Sequence, residues 1–126
     1  MTIRIHRRLL AASLAIPMGV AAGEQRCGWL ENPSPGNVWL IDADADWTIS
    51  TQGIGFKDEA SIDRMPRIDE KEHVRTNRYY GFSCVCLKVD TDSETAEILK
   101  VYEGRQLLLK RCLEDPRLSA KIPLRN

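Results

Sequence analysis

Tyr79-Tyr-Gly-Phe-Ser-Cys-Val-Cys-Leu-Lys-Val89 is the stretch that decides the fold. Aromatic and β-branched residues fill it, and Asp90-Thr-Asp-Ser-Glu94 breaks it. Ala96-Glu-Ile-Leu-Lys-Val-Tyr102 then alternates again. Two such runs around a short polar gap predict a β-hairpin. Gly104 is expected to end the second strand. Leu107 to Leu113 reads as a short helix or a further strand, stopped by Pro116.

The pattern occurs once more upstream. Val38-Trp-Leu-Ile41 and Trp47-Thr-Ile-Ser-Thr51 flank Asp42-Ala-Asp-Ala-Asp46, predicting a second hairpin whose Asp side chains cap turn donors. Between the hairpins, Lys57 to His73 is charged and keeps no apolar period, with Met65-Pro66 in its middle, so it reads as a surface excursion. The lead-in Cys27-Gly-Trp-Leu-Glu-Asn-Pro-Ser-Pro-Gly-Asn37 carries two prolines, which lack the ladder donor. It is expected to be ordered but irregular, neither helix nor central strand. The expected fold class is mainly β: a compact antiparallel sheet built from hairpins, with at most one or two short helices.

The first residues give an address. Arg4, Arg7 and Arg8 precede the apolar run Leu9 to Val20, and Ala21-Ala22-Gly23 follow. That order predicts a secretory signal peptide over residues 1–23, cut after Ala22 or Gly23. The run is too short to cross a bilayer, which needs ~20 apolar residues. Glu24-Gln25-Arg26 stand before Cys27 where a lipid anchor would need small residues. The expectation is one disulfide-stabilised domain over 24–126 in the periplasm or secreted, without membrane insertion.

Four cysteines, Cys27, Cys84, Cys86 and Cys112, all fall after the leader. An even count in an exported chain predicts a disulfide framework. Cys84 and Cys86 share one face of a strand, ~6.6 Å apart along it, so each is expected to pair elsewhere. Cys84 with Cys112 and Cys27 with Cys86 is the preferred arrangement, and the exchanged pairing is the alternative. Closing rings of roughly 29 and 60 residues contributes about 3.5 to 4.3 kcal/mol each in the chain-entropy account. Zinc would want Cys-x2-Cys or neighbouring histidines, and redox pairs usually open a helix.

Charge removes other classes. The chain has 18 basic and 18 acidic residues, and loss of the leader's three arginines leaves 15 against 18, a net of −3. No basic stripe is present, so no nucleic acid is expected as partner. His73 is the one histidine after the leader and reads as a solvated loop residue. Asp42 to Asp46 begins like a calcium loop but has Trp47 where glycine belongs and Gly53 where glutamate belongs. Asp90 to Glu94 departs in the same way, with Thr95 and Val101. No catalytic residue, metal ligand or cofactor motif stands out.

Trp29, Trp39 and Trp47 cluster beside the proline-rich lead-in. They read as sheet core or, for one or two of them, as exposed anchors for a partner. Trp39 and Trp47 are expected to face each other across the first hairpin.

The lead-in Cys27 to Asn37 resembles the opening motif of a family of small exported bacterial proteins catalogued as a domain of unknown function. The likeness extends through Trp47-Thr-Ile-Ser-Thr-Gln-Gly53 and Tyr80-Gly-Phe-Ser-Cys-Val-Cys-Leu87 to Lys110-Arg-Cys112, and includes all four cysteines. The chain departs from the family pattern at Val38, where an aromatic is expected, and at Ala45, where a turn glycine is usual. The resemblance implies an envelope location and a fold, and supplies no reaction. The leading functional expectation is a non-catalytic protein-binding module, such as an inhibitor or immunity-type protein, whose partner is another envelope protein. The alternatives are an envelope enzyme or small-ligand-binding domain acting on wall fragments, and a structural accessory factor of an envelope complex.

Overall fold

The computed structural model describes residues 20–123. Among them, seven strands share one mixed sheet: β1 (Val20–Ser34), β2 (Asn37–Ile41), β3 (Asp46–Thr51), β4 (Gly55–Phe56), β5 (His73–Asn77), β6 (Tyr80–Asp92) and β7 (Glu97–Leu107). Two short helices follow, α1 (Leu109–Leu113) and α2 (Pro116–Ser119). Two 3-10 turns, Glu59–Arg64 and Glu70–Glu72, lie between β4 and β5. The first nineteen residues of the predicted leader lie outside the described residues.

Five strands form a circuit. β1 pairs with both β2 and β6, β2 with β3, and β6 with β7. β3 closes the round on β7 through one parallel bridge, Thr48 to Glu97, where Thr48 N donates to the Ala96 carbonyl at 2.8 Å. The circuit β1-β2-β3-β7-β6 has the strand order of an OB fold, a partly open five-stranded barrel. Both expected hairpins form, and closure adds the parallel seam between them.

Alternation sorts the apolar residues onto two faces. Leu30, Leu40, Trp47, Ile49, Val85, Leu87, Val89, Ile98 and Val101 fill the barrel. Trp29, Ile41, Phe82 and Cys84 point outward instead and are covered by Cys112, Leu118 and Ile122 of the carboxy-terminal segment. A strand with both faces covered reads as a near-continuous apolar run, as Phe82 to Leu87 does.

Three expectations need correction. The lead-in is not irregular: Cys27 to Asn32 lies in β1, a central strand paired on both sides. Its prolines stand only at Pro33, inside the register shift between Glu31 and Ser34, and at Pro35 in the turn, so the ladder keeps its donors. Gly104 does not end β7, which runs on to Leu107. Instead it gives room, since a Cβ there would lie 2.6 Å from Leu87 Cδ2 and 2.7 Å from Pro66 Cδ. The short helix expected before Pro116 forms as α1 and ends at Leu113, and Pro116 itself opens α2 at its first turn, where a missing N–H costs nothing and Asp115 caps through Arg117 N. Finally, Trp39 opposes Thr48 while Leu40 opposes Trp47, so the two tryptophans lie on opposite faces of the hairpin.

The excursion between β4 and β5 is pinned to β7 by polar contacts. Ser61 Oγ accepts from Val101 N at 2.9 Å. Gln106 Oε1 accepts from Asp69 N at 2.6 Å, and its Nε2 donates to the carbonyls of Asp69 and Glu72. Both disulfides take the preferred pairing. Cys27–Cys86 joins directly opposed residues of β1 and β6, and Cys84–Cys112 fastens α1 to the outer face of β6.

Candidate functional site

The pinned excursion shapes a cleft at one mouth of the barrel. Met65, Pro66 and Ile68 lean over the opening, with Phe56 from β4 and Val38 from β2 beneath them, and Leu30 forms part of the floor. The cleft is about 350 Å³, within the range of binding pockets and in a preferred position for them. Two apolar side chains on its lining stay in solvent, Ile62 at 55% exposure and Tyr79 at 79%. Hollows of about 420 Å³ beside Gly23, Lys88 and Arg105 and of about 730 Å³ beside Gln106, Lys110 and Arg111 are larger, but charged side chains make up more of their linings.

One end of the cleft is polar. His73 and Ser83 are directly opposed in the β5–β6 ladder, and His73 Nδ1 lies 2.7 Å from Ser83 Oγ. His73 Nε2 is shut off from solvent and makes no hydrogen bond. It sits beside Gly81, where a Cβ would come within 2.9 Å of it. Burial holds the imidazole below its usual titration range, and the Arg75 cation adds to this against the opposing pull of Tyr79 and Glu70. Glu70, on the same rim, is paired with Arg75 at 2.7 Å. His73 is thus half-buried and hydrogen-bonded across two strands, a correction to the solvated reading. The tight turn at Arg78, with φ of 54°, brings β5 back against β6, and a hairpin reading of His73 to Ser83 would have found the pair.

The Asp-rich turn has a different occupation. Asp42 Oδ1 accepts from the backbone of Asp44 and Ala45, and its Oδ2 accepts from Arg26 at 2.8 Å. Arg26 also reaches Asp44 and Glu24, and its guanidinium lies 4.0 Å from the centroid of Trp47. Burial works to raise the Asp42 pKa, yet the Arg26 bond and the two backbone donors hold it below the usual carboxylate range. These carboxylates are spent on the turn and on Arg26. Among the described residues, no group of three or more His, Cys, Asp and Glu side chains is arranged to hold a metal ion.

The tryptophans are divided. Trp29 is fully buried and Trp47 is 3% exposed, so both are core. Trp39 is half-buried and packs against the outer cluster, which leaves it as the one of the three with surface to offer. The cleft residues Ile62, Met65, Ile68, Tyr79 and Ser83 were not singled out by sequence. Their shared position depends on how a segment without period folds over the barrel.

No helix among the described residues is long and apolar enough to cross a membrane. Two disulfides are consistent with a periplasmic or extracellular location. No curated protein and no solved structure matches the chain. The family described as protein of unknown function DUF4087 matches residues 21–119, and the chain belongs to it.

Proposed function

We propose that this member of the DUF4087 family is an exported, non-catalytic binding module whose barrel-mouth cleft receives an apolar side chain of another envelope protein. The observation that carries the reading is the pair of exposed apolar residues, Ile62 and Tyr79, on the lining of a preformed apolar cleft. Tyrosine is among the residue types that most often carry the energy of a protein interface. Inhibitor and immunity-type roles fit this geometry. Ser83 is nearly inaccessible and its hydroxyl is held by His73, so the pair serves as a polar contact rather than a nucleophile.

A second reading follows from the polar end of the cleft. A small amphiphile with an apolar body and a hydroxyl or amide head would place that head at the rim beside Asn32 and Glu70, the polar side chains of the lining that reach solvent. The test separates the two. A photocrosslinking residue at Ile62, in protein expressed with its leader, should capture one protein, and Val38→Trp, which fills the cleft, should abolish the capture. Native mass spectrometry of the same preparation showing a bound small molecule that Val38→Trp displaces, with no protein crosslink, would favour the second reading.

A further inference from the structure

Gly23 N donates to Asp90 Oδ1 at 2.7 Å, joining residues 67 apart in sequence. The other oxygen of that carboxylate accepts from the Tyr102 hydroxyl at 2.8 Å, so its orientation is fixed from the far side. The β1–β6 ladder slips at the same place. It pairs Val20 with Asp92 and Ala21 with Thr91, then resumes only at Glu24 with Val89. Ala22 and Gly23 are skipped, and Gly23 takes a φ of 62°, a conformation that favours glycine. The barrel's ladder from Glu24 onward therefore does not depend on the residues before Gly23.

We propose that the leader is removed by hydrolysis of the Ala22–Gly23 bond, and that Asp90 is the receptor for the α-ammonium group so created. The inference rests on the exported reading above. Small residues precede either of two adjacent bonds, and the fold distinguishes them. Hydrolysis at Ala22–Gly23 breaks the C–N bond; water's hydroxyl joins the Ala22 carbonyl, which departs as the leader's carboxylate. The Gly23 nitrogen takes up protons and becomes an ammonium at neutral pH. A single amide donor is replaced, in place, by a charged donor beside a carboxylate, and such charge-assisted bonds are the stronger kind. Hydrolysis one bond later would remove the donor that Oδ1 has. Processing acts on the extended chain before it folds, so the finished strand does not protect the bond.

Intact mass and amino-terminal sequencing of protein from the exported fraction test the bond, with a start at Gly23 expected. Titration of the terminal amine by NMR tests the receptor. The amine should titrate about one unit or more higher in the native chain than in Asp90→Asn, a comparison in which the neighbouring Lys88 ammonium, whose Cε lies 3.4 Å from a Cβ placed at Gly23, acts on both alike. Tyr102→Phe, which keeps the carboxylate, should retain most of the shift. A chain with one alanine added before Gly23 displaces the ammonium and should lose it. A start at Glu24 or later overturns the proposed bond, and a Gly23 start with an unshifted amine overturns the role of Asp90. A chain that keeps its leader and stays in the cytoplasm overturns the exported reading instead.

Discussion

The indole Nε1 of Trp29 donates to the backbone carbonyl of Leu118 at 2.9 Å, tying the first strand to the last helix across 89 residues. Both side chains are buried in the outer cluster. Leu118→Ala is expected to destabilise the fold by about 3 kcal/mol, as large-to-small changes at buried leucines do. Trp29→Phe removes the indole donor and leaves the Leu118 carbonyl only its backbone bond from Lys121 N, at a cost of about 1 kcal/mol. Urea unfolding followed by circular dichroism measures both. A shift in Leu118→Ala no larger than that of an exposed leucine would show that the carboxy-terminal segment does not hold the core.

Arg26 is the hub of the Asp-rich turn, and its side chain is 15% exposed against 6% for Asp42. Arg26→Ala leaves the Asp42 carboxylate without its partner and uncovers Trp47. With partial solvent access discounted, a loss of about 2 kcal/mol is expected. The emission of the Trp47 region should move to longer wavelength in the same variant. Arg26→Lys should recover only part of the stability, because an ammonium cannot bridge three carboxylates while lying flat on an indole.

Gly104→Ala should destabilise by about 1 to 3 kcal/mol, because its Cβ meets Leu87 and Pro66 inside ordinary contact distance. The clash lies between β7 and the excursion, so the variant should also loosen the cleft. Hydrogen exchange at Asp69 and Leu109 amides, both bonded across this junction, is the sensitive measure. Unchanged exchange with lowered stability would place the strain inside the barrel instead.

Two carriers of acid sensitivity act in separate windows. His73 has its pKa lowered from 6.5 by burial, so between the folded value and 6.5 the native state binds fewer protons than the unfolded chain. Its contribution is fully present above about pH 6.5 and is lost as pH falls through the folded value. Asp42 has its pKa lowered from 3.8, so its contribution is intact above that value and is lost as pH falls further. Urea midpoints measured from about pH 8 down to about pH 3 should therefore fall in two steps, and His73→Asn should remove the upper one alone.

The strands that carry both hairpins were legible because each face of them is covered, and coverage writes itself as alternation or as a continuous apolar run. Cys84 and Cys86 were readable as one-faced for the same reason. β1 was not, because Pro33 and Pro35 give the lead-in the look of an irregular segment, although the Pro33 ring restricts only Asn32 before it, and restricts it toward the extended conformation that a strand needs. Gly104 looks like a breaker, whereas its role is clearance, which depends on Pro66, far away in sequence. The cleft was hidden for a related reason. Met65 and Ile68 have no period to share, and what assembles them is a set of side-chain clamps at Ser61 and Gln106.

For a chain exported as proposed above, the disulfide pairing has a consequence in transit. Cys27 is joined to Cys86 rather than to Cys84, the cysteine that emerges next, while Cys84 waits for Cys112. A chain threaded outward amino end first presents the wrong partner to Cys27 before the right one. Oxidation in order of arrival would lock Cys27 to Cys84, two ladder positions out of register. Reaching the native pairing from there requires a thiolate to attack that bond and pass it along. Maturation of this barrel should thus depend on a proofreading isomerase in its compartment, and not only on an oxidant.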